Sequence, residues 1–217
     1  MQSELPRVAW FWSLCPVLLI ASVEVANADV ARFRVEGERL FYNTNIPYPD
    51  DPSTGINNRD ATEMSLYLME APKISIIVLE SYGGEGAAAF KMGNKIAKLG
   101  LATEVKNSCE SACPIIFLGG YPRTLAKGGI LGFHRARVTA TGVKELVEFQ
   151  NEQRGQTIHP AEDAYDQAIT HTVQEFKYMA WRGVKDEFML EMLAIPPREM
   201  WRPSRADLVA AGIINAD

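Results

Sequence analysis

A buried strand followed directly by a glycine turn and a helix constrains the fold of this 217-residue chain most strongly. The run from Ile74 to Leu79 is β-branched and almost entirely apolar, which is typical of a strand covered on both faces. The turn after it contains three glycines, and the helix predicted over residues 87–99 ends at Gly100. Strands that alternate with helices predict an α/β protein with a parallel-rich sheet flanked by helices.

Composition excludes several classes of function. The net charge of −5 provides no basic surface for nucleic acid, so no nucleic-acid partner is predicted. The sequence lacks the Gly-x-x-x-x-Gly-Lys-Ser/Thr loop of many ATPases. Cysteines 109 and 113 have no nearby histidine or second cysteine pair, so they do not indicate a zinc site. We predict neither a metal nor a cofactor.

Residues 1–28 have the pattern of a signal peptide. Arg7 precedes an apolar run from Val8 to Val23, and Ala26-Asn27-Ala28 provides small residues before a cleavage point. The run is shorter than the ~20 residues of a spanning helix, but an uncleaved N-terminal anchor is the alternative. The sequence therefore predicts a periplasmic or secreted protein whose residues 29–217 form one domain. A membrane partner is expected only if the segment is uncleaved.

Ser111 and His134 are the candidate catalytic pair. Ser111 stands before an apolar run that predicts a buried element, and a serine in the first turn of a helix has free N–H groups beside it. His134 ends the next apolar segment. A serine and a histidine brought together from adjacent buried elements are the minimum for acyl transfer by a hydroxyl.

The surroundings of Ser111 raise two further expectations. Four-residue spacing would place Cys109 and Cys113 on one helix face, where geometry is poor for a disulfide, so packed thiols are favoured over a bridge. An oxidising compartment keeps the bridge open as an alternative. Glu85 and Glu110, both beside the predicted site, are expected to be solvated.

The rest of the chain predicts further helices and strands. Residues 135–158 are polar and are expected to face solvent, whereas Ala161 to Arg182 and Lys185 to Ala194 predict helices. The C-terminal part predicts a short capped helix stopped by Gly212, followed by a last apolar strand at Ile213 and Ile214.

Together these segments resemble the Clp protease proteolytic-subunit family, closest to its exported serine peptidase-like branch in bacteria. The resemblance covers about residues 55–214 and implies a ClpP/crotonase-like ββα spiral. Its motifs are Ser81-Tyr82-Gly83-Gly84, where the family has proline at the second position, then Cys109-Glu110-Ser111-Ala112-Cys113, Gly132-Phe133-His134, and the closing helix with Leu208, Gly212 and Ile213.

The resemblance implies a serine peptidase-like hydrolase that cleaves unstructured or short polypeptides. Ser111 would be the nucleophile, His134 the general base and Glu199, two residues before Trp201, the acid of a triad. Asp186 and Asp207 are alternative acids. The N–H groups of Gly84 and Ala112 would form the oxyanion hole, and the helix from Ala161 to Arg182 would mediate homo-oligomer formation.

Two other functions and one other catalytic mechanism are alternatives to a peptidase with a Ser-His-acid triad. The main alternative is a catalytically inactive member of the same fold that binds peptides or a protein in the periplasm. A crotonase-type acyl enzyme would require an acyl-thioester, which an exported protein rarely meets. A Ser-Lys dyad would require Lys106 or Lys127, and neither spacing favours it.

Overall fold

The computed structural model describes residues 31–137 and 160–216, in which six strands and six helices are defined. The strands are β1 Phe33–Glu36, β2 Arg39–Asn43, β3 Ile76–Ser81, β4 Ala102–Glu110, β5 Arg123–Leu125 and β6 Ile130–Gly132. The helices are α1 Asn58–Glu70, α2 Gly86–Leu99, α3 Cys113–Leu118, α4 Pro160–Trp181, α5 Asp186–Ala194 and α6 Arg205–Ala210. The predicted signal peptide or anchor and most of the polar segment 135–158 lie outside the described residues.

The six strands form one mixed, mostly parallel sheet, as predicted. Strands β1 to β5 lie in sequence order, and β6 pairs with β4 beyond the end of β5. Only the β1–β2 pair is antiparallel among the described strands; β2 with β3, β3 with β4, and β4 with both β5 and β6 are parallel. The carboxyl end of β4 therefore lies between those of β3 and β6, which brings three connecting segments to one edge of the sheet.

The core lies where β3 meets α2 and α3. Three consecutive residues of β3, Ile77 to Leu79, are buried, which confirms that both faces of this strand are covered. Gly93 of α2 allows close approach, because a Cβ there would collide with the Tyr178 hydroxyl and the Ile115 carbonyl. Gly100 has φ +66 and ends α2 in a left-handed cap, as the sequence predicts.

The predicted C-terminal strand at Ile213 and Ile214 does not form. The buried guanidinium of Arg123 donates to the Gly212 carbonyl at 2.7 Å and to the Ile213 carbonyl at 2.8 Å. These carbonyls are therefore bonded to a side chain instead of to a neighbouring strand. A single bridge between Thr124 and Ala216 is the β pairing of this segment within residues 160–216.

A buried ion pair fixes the loop between β2 and α1. The Asp60 carboxylate, fully buried in the first turn of α1, accepts from Arg32 Nε at 2.6 Å and from a second Arg32 nitrogen at 2.9 Å. It also accepts from the hydroxyls of Tyr42 and Tyr48 and from the N–H of Asn57. Four segments thus converge on one carboxylate, and burial without these partners would be costly.

Among residues 31–137 and 160–216, no helix combines the length and the apolar character needed to cross a bilayer.

Candidate active site

Ser111 lies on a strained turn between β4 and α3. Its φ is +59, a left-handed conformation that costs a residue with a side chain on the order of 1–2 kcal/mol. The Ser111 N–H donates to the Gly132 carbonyl at 2.9 Å, which holds the turn against the end of β6. The prediction that Ser111 lies in the first turn of a helix is wrong, because Ser111 precedes α3, which starts at Cys113 after the cap residue Ala112. Strain of this kind is typical of a residue that must present its side chain to a cavity.

His134 and Ser111 are hydrogen-bonded. His134 follows β6 by two residues, and β6 pairs with the last residues of β4, so the sheet brings the two side chains together. His134 Nε2 lies 2.7 Å from Ser111 Oγ, and His134 Nδ1 lies 2.8 Å from the Arg135 carbonyl oxygen. Because a carbonyl only accepts, we assign the imidazole proton to Nδ1. Nε2 then accepts the Ser111 hydroxyl proton, which is the arrangement of a general base.

Glu199 is near the histidine segment but does not contact the imidazole. Phe133 and Trp201 exchange backbone hydrogen bonds of 2.8 and 2.9 Å, which places the segment of Glu199 antiparallel beside that of His134. The Glu199 side chain is exposed, and no hydrogen bond or ion pair joins it to His134 within the described residues. The role of Glu199 as the triad acid stays a prediction.

The two alternative acids have other positions in the fold. Asp186 is exposed at the start of α5. Asp207 caps α6, because its carboxylate accepts from the Ser204 N–H and hydroxyl. Within the described residues neither is bonded to His134, whose Nδ1 is taken by the Arg135 carbonyl.

The glycine turn packs directly against Ser111. A Cβ on Gly83, whose φ is +103, would lie 2.5 Å from the Ser111 Cβ, and a Cβ on Gly84, whose φ is +146, would overlap the Ile56 backbone. The Ile56 N–H donates to the Gly83 carbonyl and the Glu85 N–H to the Ile56 carbonyl, both at 2.8 Å. The C=O of Gly83 and the N–H of Gly84 belong to one trans peptide and point in opposite directions. Because the Gly83 carbonyl points to Ile56, the Gly84 N–H points away from Ile56.

Two backbone amides beside Ser111 are available to a ligand. The N–H groups of Gly84 and Ala112 donate no hydrogen bond within the described part of the chain. Both residues line a cavity of about 680 Å³ together with Ser111 and His134. Unbonded amides next to a nucleophile can stabilise a negatively charged oxygen formed on a carbonyl group.

Cys109 and Cys113 form a disulfide, which corrects the expectation of packed thiols. That expectation assumed one helix, whereas Cys109 is the penultimate residue of β4 and Cys113 begins α3, with the Ser111 turn between them. The reversal brings the two Cα atoms to 5.1 Å, a separation that a disulfide can bridge. The bridge closes the loop that carries Ser111.

Glu110 is buried rather than solvated. Its two carboxylate oxygens each accept from Arg202 at 3.0 Å, and the Ser108 hydroxyl donates to one of them at 3.2 Å. Arg202 follows Trp201, so this ion pair joins the residue before Ser111 to the segment beside His134. Glu85 is exposed, as expected, and accepts from the Asn58 amide at 2.8 Å.

Glu175 is a cavity residue that the sequence analysis missed. It lies on α4, is 7% exposed and lines the same cavity as Ser111. Desolvation raises the pKa of Glu175 to about 7. The one signal in the sequence was its spacing, because residue 175 follows His171 by one helical turn on the face of α4 that contains Ala168.

Comparison with solved structures identifies the architecture. A mutant of ClpP1 from Listeria monocytogenes matches with a TM-score of 0.54 over 74% of this chain and 84% of that chain, at 16% sequence identity. The chain has a ClpP-like fold. No model of a known protein family matches the sequence, and no curated protein matches it. At this identity the similarity establishes the fold alone, so function rests on the geometry of the site.

Proposed function

We propose that the protein is a serine hydrolase that cleaves peptide bonds in unstructured or short polypeptides. The observation that carries this proposal is the 2.7 Å hydrogen bond between Ser111 Oγ and His134 Nε2, beside two unbonded amides in one cavity. The ClpP-like fold is consistent with a peptidase. The hydrogen bond between Ser111 and His134 favours a catalytic site over the alternative of an inactive binding module.

The geometry supports the following sequence of steps. Ser111 Oγ attacks the peptide carbonyl carbon while His134 Nε2 takes the hydroxyl proton, and the carbonyl oxygen becomes negatively charged. The N–H groups of Gly84 and Ala112 bind that oxygen. His134 then protonates the leaving amine, the C–N bond breaks, and an ester to Ser111 remains. Water, deprotonated by His134, hydrolyses the ester and restores the serine.

Labelling by a fluorophosphonate tests the proposal most directly. This probe reacts with activated serines, so the purified protein should become labelled on Ser111 and should cleave an unstructured polypeptide such as casein. Ser111→Ala should lose the label and at least ~10³-fold of the cleavage rate. Mass spectrometry locates the label. A wild-type protein that is folded yet neither labelled nor active would refute the hydrolase.

Glu199 is proposed as the acid that orients His134 during turnover, replacing the Arg135 carbonyl. A carboxylate stabilises the imidazolium better than a neutral carbonyl does, so Glu199→Gln should lower kcat by ~10- to 100-fold with little change in KM. Asp186→Asn, an exposed carboxylate at the start of α5, is the matched control and should retain the wild-type rate. Steady-state kinetics with a fluorogenic peptide measures both variants. A loss below about threefold for Glu199→Gln would leave a Ser-His dyad oriented by the carbonyl.

Localisation and assembly complete the proposal. Residues 1–28 would direct the chain to the periplasm or outside the cell, or anchor it facing the periplasm if they are not cleaved.

Copies of the chain would associate through α4, on which Tyr165, Ile169, Val173 and Trp181 are exposed. Large apolar side chains exposed at helical spacing are compatible with a protein interface.

A further inference from the structure

The carboxyl group of Glu175 has no role in the steps proposed above. It is buried in the wall of the cavity that contains Ser111 and His134. Its Oε2 is inaccessible to solvent and has no hydrogen-bond partner among the described residues. Buried polar atoms are almost always hydrogen-bonded, and each exception requires an explanation. An unpartnered carboxyl in the wall of a ligand-sized cavity indicates that a bound molecule provides the missing donor.

The position of Glu175 relative to the nucleophile is fixed by the neighbouring turn of α4. Tyr178 lies three residues later and therefore on the same helix face. Its hydroxyl donates to the Ile115 carbonyl in α3 at 2.8 Å, and its ring packs edge-on against Phe90 of α2, with centroids 5.2 Å apart. Because α3 begins two residues after Ser111, this contact holds the carboxyl at a defined place in the cavity.

The other cavity walls suit an aliphatic stem. Ala87, Phe90, Ile115 and Ala168 line the space together with Glu175. Lysine and arginine side chains have apolar stems that pack on such surfaces and a cationic end that needs an acceptor. The combination of apolar walls and one buried carboxyl therefore matches a basic side chain better than an apolar or an acidic one.

Other charged and titratable groups around the cavity leave the carboxyl without a partner. These groups are Tyr82, Glu85, His134, Arg137 and His171, of which Tyr82 is exposed. His134 Nε2 is bonded to Ser111, Glu85 is exposed, and no ion pair joins Arg137 or His171 to Glu175 within the described residues. Burial raises the pKa of Glu175 to about 7, so an adjacent cation would favour the carboxylate.

We propose that Glu175 determines the specificity of the cavity by binding the cationic end of a lysine or arginine side chain of the polypeptide. The inference rests on the proposed function for its substrate class. It predicts that cleavage occurs at a fixed position relative to a basic residue, with the stem on the apolar walls and the ammonium or guanidinium group bonded to Glu175.

Cleavage-site mapping followed by matched peptides tests this inference. Wild-type digestion of casein, analysed by mass spectrometry, should show lysine or arginine enriched at one position relative to the cleaved bond. At that position, kcat/KM for an arginine peptide should exceed that for its neutral citrulline analogue at least ~10-fold at about pH 8. Glu175→Gln should reduce this ratio to within about twofold of one. Glu162→Gln removes an exposed carboxylate from the same helix and should keep the wild-type ratio.

The pH dependence of the same ratio provides a second measurement that needs no variant. Arginine and citrulline do not titrate between about pH 5.5 and 8, and pH effects on the catalytic steps cancel in a ratio of the two peptides. Protonation of Glu175 should therefore lower the wild-type ratio as pH falls through about 7. A flat ratio in Glu175→Gln assigns the effect to Glu175 rather than to another group of the cavity. A wild-type ratio near one at every pH would overturn the inference.

Binding to inactive protein separates this inference from the proposed hydrolysis. Fluorescence anisotropy with the arginine and citrulline peptides should show a preference for arginine in Ser111→Ala and its loss in Ser111→Ala/Glu175→Gln. A charge preference in binding without hydrolysis by the wild type would refute the hydrolase alone. Hydrolysis by the wild type with equal rates for the two peptides would refute the role of Glu175 alone.

Discussion

Replacing His134 by alanine is expected to lower kcat for peptide hydrolysis at least ~10³-fold. His134 Nε2 is the hydrogen-bond acceptor of Ser111 Oγ, at 2.7 Å, and without it the hydroxyl has no described base to take its proton during attack. In the proposed mechanism the same side chain protonates the leaving amine, so two steps would fail together. Initial rates with a fluorogenic peptide, at enzyme concentrations high enough to detect the residual activity, measure the loss. The rate of labelling by a fluorophosphonate should fall in parallel.

The double variant Ser111→Ala/His134→Ala provides the stringent control. Residues that act as one unit show non-additive losses, so the double variant should be no slower than Ser111→Ala alone, within about threefold. If the rate loss of the double variant equalled the product of the two single losses, the two side chains would act independently. The 2.7 Å hydrogen bond between them would then not be part of the catalytic mechanism. Peptide affinity should be similar in Ser111→Ala and in the double variant, because Glu175 and the apolar residues that line the cavity are unchanged.

Local sequence patterns were sufficient for the elements that depend on nearby residues. β3 follows from a β-branched apolar run, and α2 is observed at Gly86–Leu99 with its left-handed stop at Gly100, close to the predicted limits. The pairing of Ser111 with His134 followed from the order of motifs rather than from periodicity. Ser111 follows β4 directly and His134 follows the neighbouring strand β6 by two residues, so their proximity depends on the topology that the motifs indicated.

The conformation around Ser111 could not be predicted because it depends on pairing between distant segments. β4 continues to Glu110 because its last three residues pair with β6, which begins 20 residues later in the chain. That extension places Cys109 in a strand and allows the disulfide to Cys113. Glu110 is buried because it meets Arg202, a partner 92 residues away that no local pattern could identify.

The burial of two carboxylates, Asp60 and Glu175, was missed for the same reason. Asp60 is buried against the guanidinium of Arg32, 28 residues away, and Arg32 precedes a strand whose alternating polarity predicts a solvent-facing side chain. Glu175 belongs to a helix with overlapping apolar and polar faces, and its burial depends on which face meets α2 and α3. Charged residues are normally exposed, so burial of these two can only be inferred once the packing is known.

Replacing Asp60 by alanine is expected to lower the free energy of unfolding by about 3–5 kcal/mol, a large part of the stability of a typical domain. The substitution leaves the Arg32 guanidinium, which is 4% exposed, as an unpaired buried charge. The hydroxyls of Tyr42 and Tyr48 lose their acceptor at the same time. Urea denaturation measures the change as a lower midpoint at an unchanged slope.

Asp50→Ala is the matched control, because Asp50 forms an ion pair with Arg59 at 2.8 Å in which both side chains are exposed. Exposed pairs contribute little, so this variant should remain close to the wild type in stability. If both substitutions lowered the free energy of unfolding equally little, the buried ion pair would contribute no more to stability than the exposed one.

Asp60 should also affect catalysis through the loop that it holds. The carboxylate accepts from the Asn57 N–H, and Arg32 reaches the Gly55 carbonyl, so both sides of Ile56 depend on this ion pair. Ile56 in turn bonds the backbone on either side of Gly84. Asp60→Ala should therefore lower kcat at temperatures where the variant is still folded by circular dichroism, because the Gly84 amide loses its support. Full activity of the folded variant would show that the Gly84 turn keeps its position without the ion pair that supports Ile56. The position of the proposed oxyanion site would then depend on the packing of Gly83 against Ser111.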